Sequence, residues 1–112
     1  MTTVTASGRE LTIDGTTIEL PNRIETVLEV NGLVLVLLET AGRSSTRDNV
    51  WAFDMDGSHV WKAEPVVEPS NDANTYVHIR REGSDLWASD WKGMEYKLDS
   101  QNGKQIEKKF RK

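Results

Sequence analysis

The residues closest to a metal site are Asp54-Met55-Asp56-Gly57, two carboxylates one residue apart ahead of a glycine. A calcium loop of the EF-hand type also needs an oxygen ligand at its fifth position and a glutamate at its twelfth, between two helices. Those positions here are Ser58 and Pro65, and no helical pattern flanks the stretch. The chemistry that Asp54 supports better is turn capping, because an aspartate side chain accepts hydrogen bonds from backbone amides just ahead of it. His59 and His78 are the only histidines. No ligand-spaced set of acidic or imidazole residues surrounds either, so both are expected on exposed strand faces rather than at a metal or a general base. Trp87 and Trp91 stand four apart with Ser89 between them. On one strand face two such rings could stack a sugar or a base, although tryptophans in a small β-domain more often fill the core.

Other chemistries lack their residues. Cysteine is absent, which removes disulfides, thiolate nucleophiles and cysteine metal sites together. No Gly-x-Ser-x-Gly elbow, phosphate-cradling glycine loop or dinucleotide fingerprint occurs. A glycosidase carboxylate pair is defined by spatial separation, so that possibility stays open. The expectation is a non-enzymatic protein without a cofactor.

Net charge is −4 at pH 7 and unevenly spread. Residues 103–112 carry Lys104, Lys108, Lys109, Arg111 and Lys112 against Glu107 alone, which leaves 9 basic against 17 acidic side chains in residues 1–102. An acidic body disfavours nucleic acid, where neutralisation of phosphate supplies most of the affinity. The longest apolar run is the six residues Leu33–Leu38, far short of the roughly 20 that a membrane helix needs. The N-terminal residues have neither a basic start nor an apolar h-region, so a cytoplasmic protein is the simplest expectation.

The elements that must position these residues are strands. Asn49 to Trp61 reads as one hairpin, with apolar alternation up to Phe53, turn residues from Asp54 to Gly57, and a return strand ending in Trp61. Before it, Ser7-Gly8 and Asp14-Gly15 are turns, and Pro21 removes a ladder donor and ends a strand. In residues 24–30, Ile24, Leu28 and Val30 are expected on one face and Glu25 and Glu29 on the other. Leu33–Leu38 is apolar on both faces and should be a central strand covered from both sides. Residues 40–48 and 63–74 are long polar connections, the second with Pro65 and Pro69. Strands follow near 76–81, with Val77 and Ile79 opposite Tyr76, His78 and Arg80, then near 86–89 and 95–98. After a last turn at 99–103, Ile106, Lys108 and Phe110 would share a strand face, although Ile106 and Phe110 also stand four apart, as on a short helix.

The two halves repeat. Val50-Trp51-Ala52-Phe53-Asp54 aligns with Glu95-Tyr96-Lys97-Leu98-Asp99, and residues 57–61 align with residues 103–107. Residues 24–63 and 75–110 are therefore two units of four antiparallel strands, with residues 1–21 an N-terminal hairpin region of the same domain, 1–112. An aromatic, an alanine and an aspartate, a turn with glycine, and a tryptophan four residues later resemble the repeat of quinoprotein-type β-propellers. Ala52, Asp54, Gly57 and Trp61 carry the motif; Asp99 and Gly103 keep it, while Lys97 and Glu107 replace the alanine and the tryptophan. The resemblance implies structural roles for Asp54, Gly57, Trp61, Asp99 and Gly103: the aspartates cap turns and the tryptophan packs between blades. It implies no quinone site, since two blades do not enclose a cofactor. The chain also resembles small stand-alone bacterial or archaeal proteins of uncharacterised function that share the opening from Glu19 to Ile24. The fold expected is all-β: two four-stranded antiparallel blade-like sheets plus the N-terminal hairpin, packed as a sandwich or a partial propeller. The hairpin would close an edge; the other solution is several chains completing a ring.

In an up-and-down meander successive turns alternate between ends, so both long connections should sit at one end, beside Trp91 and Lys92. Arg43, Arg47, Asp48, Glu64, Glu68 and Asp72 would lie there. Mixed charge with a nearby aromatic suits a protein partner. The partner-binding set is thus Arg43, Arg47, Asp48, Glu68, Asp72, Trp91 and Lys92, in a protein-interaction domain for which a toxin-neutralising, immunity-like role would fit. The alternative is a module that binds a small ligand or carbohydrate through exposed tryptophans. Nucleic acid and membrane are not expected as partners, and self-association stays open.

Overall fold

The computed structural model describes residues 3–39, 49–63, 76–90 and 93–110, all in strands and their connections. Three antiparallel sheets follow one another along the chain, each a simple meander. The first contains β1 (Val4–Ser7), β2 (Glu10–Ile13) and β3 (Thr16–Glu19). The second contains β4 (Ile24–Val30), β5 (Leu33–Leu38), β6 (Val50–Asp54) and β7 (His59–Lys62). The third contains β8 (Tyr76–Glu82), β9 (Asp85–Asp90), β10 (Met94–Leu98) and β11 (Gln105–Phe110). The expected two four-stranded sheets are both present.

The sheets stack with the second in the middle. Val34, Val36, Leu38 and Phe53 pack on Leu11 and Ile13 of the first sheet and on Leu20 just after it. Leu35, Leu37, Val50, Ala52 and Trp61 pack on Tyr76, Ile79, Leu86 and Leu98 from the third. Two covered faces explain why β5 reads as unbroken apolar sequence, with residues 34–38 all at most 1% exposed. The N-terminal residues therefore cover a face of the second sheet rather than close an edge. They also form three strands, not only the hairpin at Asp14-Gly15, where φ of 48° and 89° matches the twist that a two-residue hairpin turn needs.

Bulges correct two of the expected faces. A register shift between Ile24 and Thr26 sends Ile24 and Val27 toward the first sheet, whereas Leu28 and Val30 face the third. A shift between Tyr76 and His78 puts Tyr76 and Ile79 together in the core and leaves Val77 46% exposed. An inserted residue inverts the alternation beyond it, and period-two patterning cannot register that. The second and third sheets repeat each other down to these defects, since further shifts fall at the aligned positions Ala52/Phe53 and Lys97/Leu98.

The turn residues do what their types suggest. Asp54 Oδ1 accepts from the amides of Asp56 and Ser58 at 3.1 and 3.0 Å, and Asp99 Oδ1 accepts from Gln101 N at 2.8 Å. Trp61, 6% exposed, lies between the second and third sheets and donates Nε1–H to the Ser100 carbonyl at 2.9 Å. Gly103 sits against its ring, and Gly57 sits in the same way against Thr16 and Ile18 of β3. The second and third sheets thus each seat a glycine turn on the last strand of the sheet before them.

Candidate functional site

The arrangement that a partner could use begins with Asn49. It is fully buried, and its Nδ2 donates to the carbonyls of Leu38 and Tyr76 at 3.2 and 2.6 Å. Its Oδ1 accepts from Tyr76 N at 3.2 Å. A side-chain amide can satisfy a donor and acceptors together, so it can splice strand ends whose own ladders stop there. Leu38 N also donates to Asn49 O, and Ala63 N to Val50 O, both at 2.8 Å. The described roots of both long connections, Leu38 and Asn49 for one and Ala63 and Tyr76 for the other, are therefore joined at one end of the stack.

Beside this junction is a cleft of about 370 Å³ lined by Asn22, Arg23, Glu25, Leu38, Glu39, Tyr76 and Val77. Its walls are the 21–23 connection, the end of β5 and the start of β8. Glu39 N donates to Arg23 O at 2.8 Å, which holds the connection to β5. Glu25 and Val77 are the residues that the two bulges leave out of register, in strands β4 and β8, which pack along each other. Bulges re-aim side chains, and here both supply a residue to one cleft. Arg81 Nη1 donates to the Glu29 carbonyl at 2.8 Å and fastens β8 to β4 farther along.

The polar groups of the cleft are incompletely paired. Asn22 Nδ2 is buried without a hydrogen-bond partner among the described residues. Arg23 Nε lies 3.8 Å from Glu39 Oε2, but the two side chains are 74% and 52% exposed, so solvent screens the pair. Glu25 has no ion-pair partner among the described residues.

Arg43, Arg47, Asp48, Glu64, Glu68, Asp72, Trp91 and Lys92 lie outside the described residues. Asn49, Asn22 and the bulge residues were not singled out from sequence. Trp87 is 5% exposed, on the outward face of the third sheet, with the Lys109 ammonium 4.6 Å and the Arg80 guanidinium 5.5 Å from its ring centre. Glu95, 1% exposed, accepts from Arg80 Nε and Nη2 at 3.1 and 3.3 Å and from Ser89 Oγ at 3.3 Å. The hydrogen bond to Glu95 holds the Arg80 guanidinium above its ordinary pKa, so the cover stays charged. A ring roofed by two cations is not an open stacking platform, which removes Trp87 from the carbohydrate reading. His59 is exposed and packs against Trp51 and Phe53, with ring centres 5.3 and 5.5 Å away, and His78 is exposed on β8. Among the described residues no group of three or more histidines and carboxylates could hold a metal ion, and no helix is long and apolar enough to cross a membrane.

A family model described as a domain of unknown function, DUF7957, matches residues 1–110, and the chain belongs to that family. No curated protein matches it.

Proposed function

We propose that this is a non-enzymatic interaction domain that engages another protein through the end where its two long connections attach. The observation that carries the reading is the Asn49 junction, which joins the roots of both connections beside the cleft. A rigid β stack carrying long connections at one end is a common way to present a binding surface. The residues proposed for contact are Arg43, Arg47, Asp48, Glu68, Asp72, Trp91 and Lys92, whose mixed charge would steer encounter and orient the partner.

The same reading takes the three sheets as successive blades of a short, propeller-like stack. The repeated seating of Gly57 on β3 and of Gly103 on Trp61 supports it. The motif aspartates, glycines and Trp61 are then architecture, and function belongs to the connections. A cytoplasmic, toxin-neutralising role is one concrete form of the proposal, tested by co-expression with the product of any adjacent toxin gene.

The general test is quantitative cross-linking capture from a lysate of the native host, comparing the wild-type chain with the double variant Arg43→Glu/Arg47→Glu. A protein recovered by the wild type and lost by the variant, at unchanged Tm, is the expected result. Identical recovery profiles would overturn the proposal.

A further inference from the structure

The geometry points to the cleft at Asn22 as the seat of a basic, extended segment of the partner's chain. This deepens the interaction reading and rests on it. At about 370 Å³ the cleft lies within the range of small-ligand sites. That volume is large enough for one long side chain together with its own backbone.

Three features select the occupant. First, Asn22 Nδ2 is a buried donor with no acceptor among the described residues. Buried polar groups in folded chains are nearly always paired, so an exception on a cleft wall calls for an acceptor. A peptide carbonyl is such an acceptor. Asn22 itself is only half-buried, and a rotation of its side chain toward a ligand breaks no bond at that nitrogen. Second, the described lining residues are acidic on balance: Glu25 and Glu39 share one guanidinium, Arg23, whose pairing with Glu39 is long and exposed. Glu25 has no ion-pair partner among the described residues. A lysine or arginine head satisfies it, whereas an acidic side chain would be repelled. Third, Leu38 and the exposed Val77 supply an apolar wall. The aliphatic stem of a long basic side chain covers such a wall while its charge stays at the rim. The acidic balance of residues 1–102 attracts the same kind of segment from a distance.

The probes are two capped tripeptides, acetyl-Leu-Lys-Leu-amide and acetyl-Leu-Glu-Leu-amide, titrated into the full isotope-labelled chain and followed by amide NMR. The lysine peptide should shift the amides of Arg23, Glu25, Glu39 and Val77, and the glutamate peptide should leave them in place. Asn22→Ala and Glu25→Gln should each weaken binding of the lysine peptide by about 5-fold, the loss expected for one hydrogen bond or ion pair. Asn22→Ala should leave Tm unchanged or raise it, because it removes an unsatisfied donor. A residue kept for the fold would instead lower Tm. Equal shifts with both peptides, shifts elsewhere, or none at all would overturn the inference. If the peptides fail while Arg43→Glu/Arg47→Glu still abolishes capture, this inference falls and the interaction reading stands.

Discussion

The contact between Gly103 and Trp61 is the sharpest test of how the second and third sheets are held together. A Cβ added at Gly103 would meet Trp61 Cε3 first, with Cδ2 at 2.8 Å and the Lys62 carbonyl at 3.0 Å. The same residue has φ of +77°, so Gly103→Ala also forces an alanine into the left-handed region. That conformation costs about 1–2 kcal/mol, and overpacking against a fixed ring costs about 1–3 kcal/mol more. Gly83 separates the two contributions, since its φ is +62° and nothing lies within 4 Å of a Cβ built there. Urea denaturation should therefore place Gly103→Ala about 1–3 kcal/mol below Gly83→Ala, at an unchanged m-value. Trp61→Ala should cost about 3–5 kcal/mol, a large share of the roughly 5–15 kcal/mol available to a domain. In the Trp61→Ala background the emptied space accepts the new methyl group, so most of the extra penalty at Gly103 should vanish. That coupling should reach about 1 kcal/mol or more, the size expected of side chains in contact. Equal costs at Gly83 and Gly103, or additive effects in the double variant, would refute the packing.

Three further substitutions test other parts of the structure. Asn49→Ala removes three buried hydrogen bonds and should cost about 2–4 kcal/mol. Hydrogen exchange should speed up first at Leu38 and Tyr76; a loss confined to global stability would contradict the junction. Asp54→Ala should cost about 1 kcal/mol, because Oδ1 accepts two turn amides at a site open to water, and Asp54→Asn should recover most of it. Glu95→Gln leaves Arg80 without its buried counter-charge, but Arg80 remains 23% exposed, so about 1–2 kcal/mol is expected by denaturation.

Much of this architecture was legible in the chain, for identifiable reasons. Six consecutive apolar residues in β5 allow only a strand covered on both faces, and Asp54, Gly57 and Trp61 announce a turn and the side chain that follows it. What β5 cannot say is which element supplies the second cover. Leu11 and Ile13 flank Thr12 in a four-residue strand, too short to distinguish a face cover from an edge strand. The bulges at Ile24/Thr26 and Tyr76/His78 were invisible because their residues are ordinary for strands. The cleft formed by those bulges was hidden with them. Asn49 binds groups 11 and 27 residues away, and a lone asparagine ahead of a strand carries no local sign of that. Trp87 reads as a potential platform because its cover, Arg80 and Lys109, comes from strands β8 and β11.

The substitutions between the two repeats change the character of the face that the third sheet presents. Across the second sheet, Leu28, Leu35, Ala52 and Trp61 form one cross-strand row that faces the third. The aligned row of the third sheet is Arg80, Trp87, Lys97 and Glu107, and it faces outward. Arg80 and Lys109 roof Trp87, and Lys97 lies 3.5 Å from Asp85. On the outer side of the first sheet the corresponding row is Thr5, Thr12 and Thr17, with the last two hydroxyls 3.1 Å apart. Polar terminal faces are what a finite repeat needs to remain a single particle. The Gly15 turn at the starting end has nothing within 4 Å of a built Cβ, unlike its counterparts at Gly57 and Gly103. Lys97→Ala/Glu107→Trp would make three of the four positions in the third sheet's row apolar or aromatic, leaving Arg80 bound to Glu95, while the glycine turn waits at the other end. Such a contact is head-to-tail and does not close on itself. Sedimentation should therefore show the double variant associating with concentration beyond whatever the wild type does, and relief when Gly15 is also changed to a bulky residue. A double variant that associates no more than the wild type at millimolar concentration would mean that the seating of glycine turns on neighbouring strands does not drive the packing of these sheets.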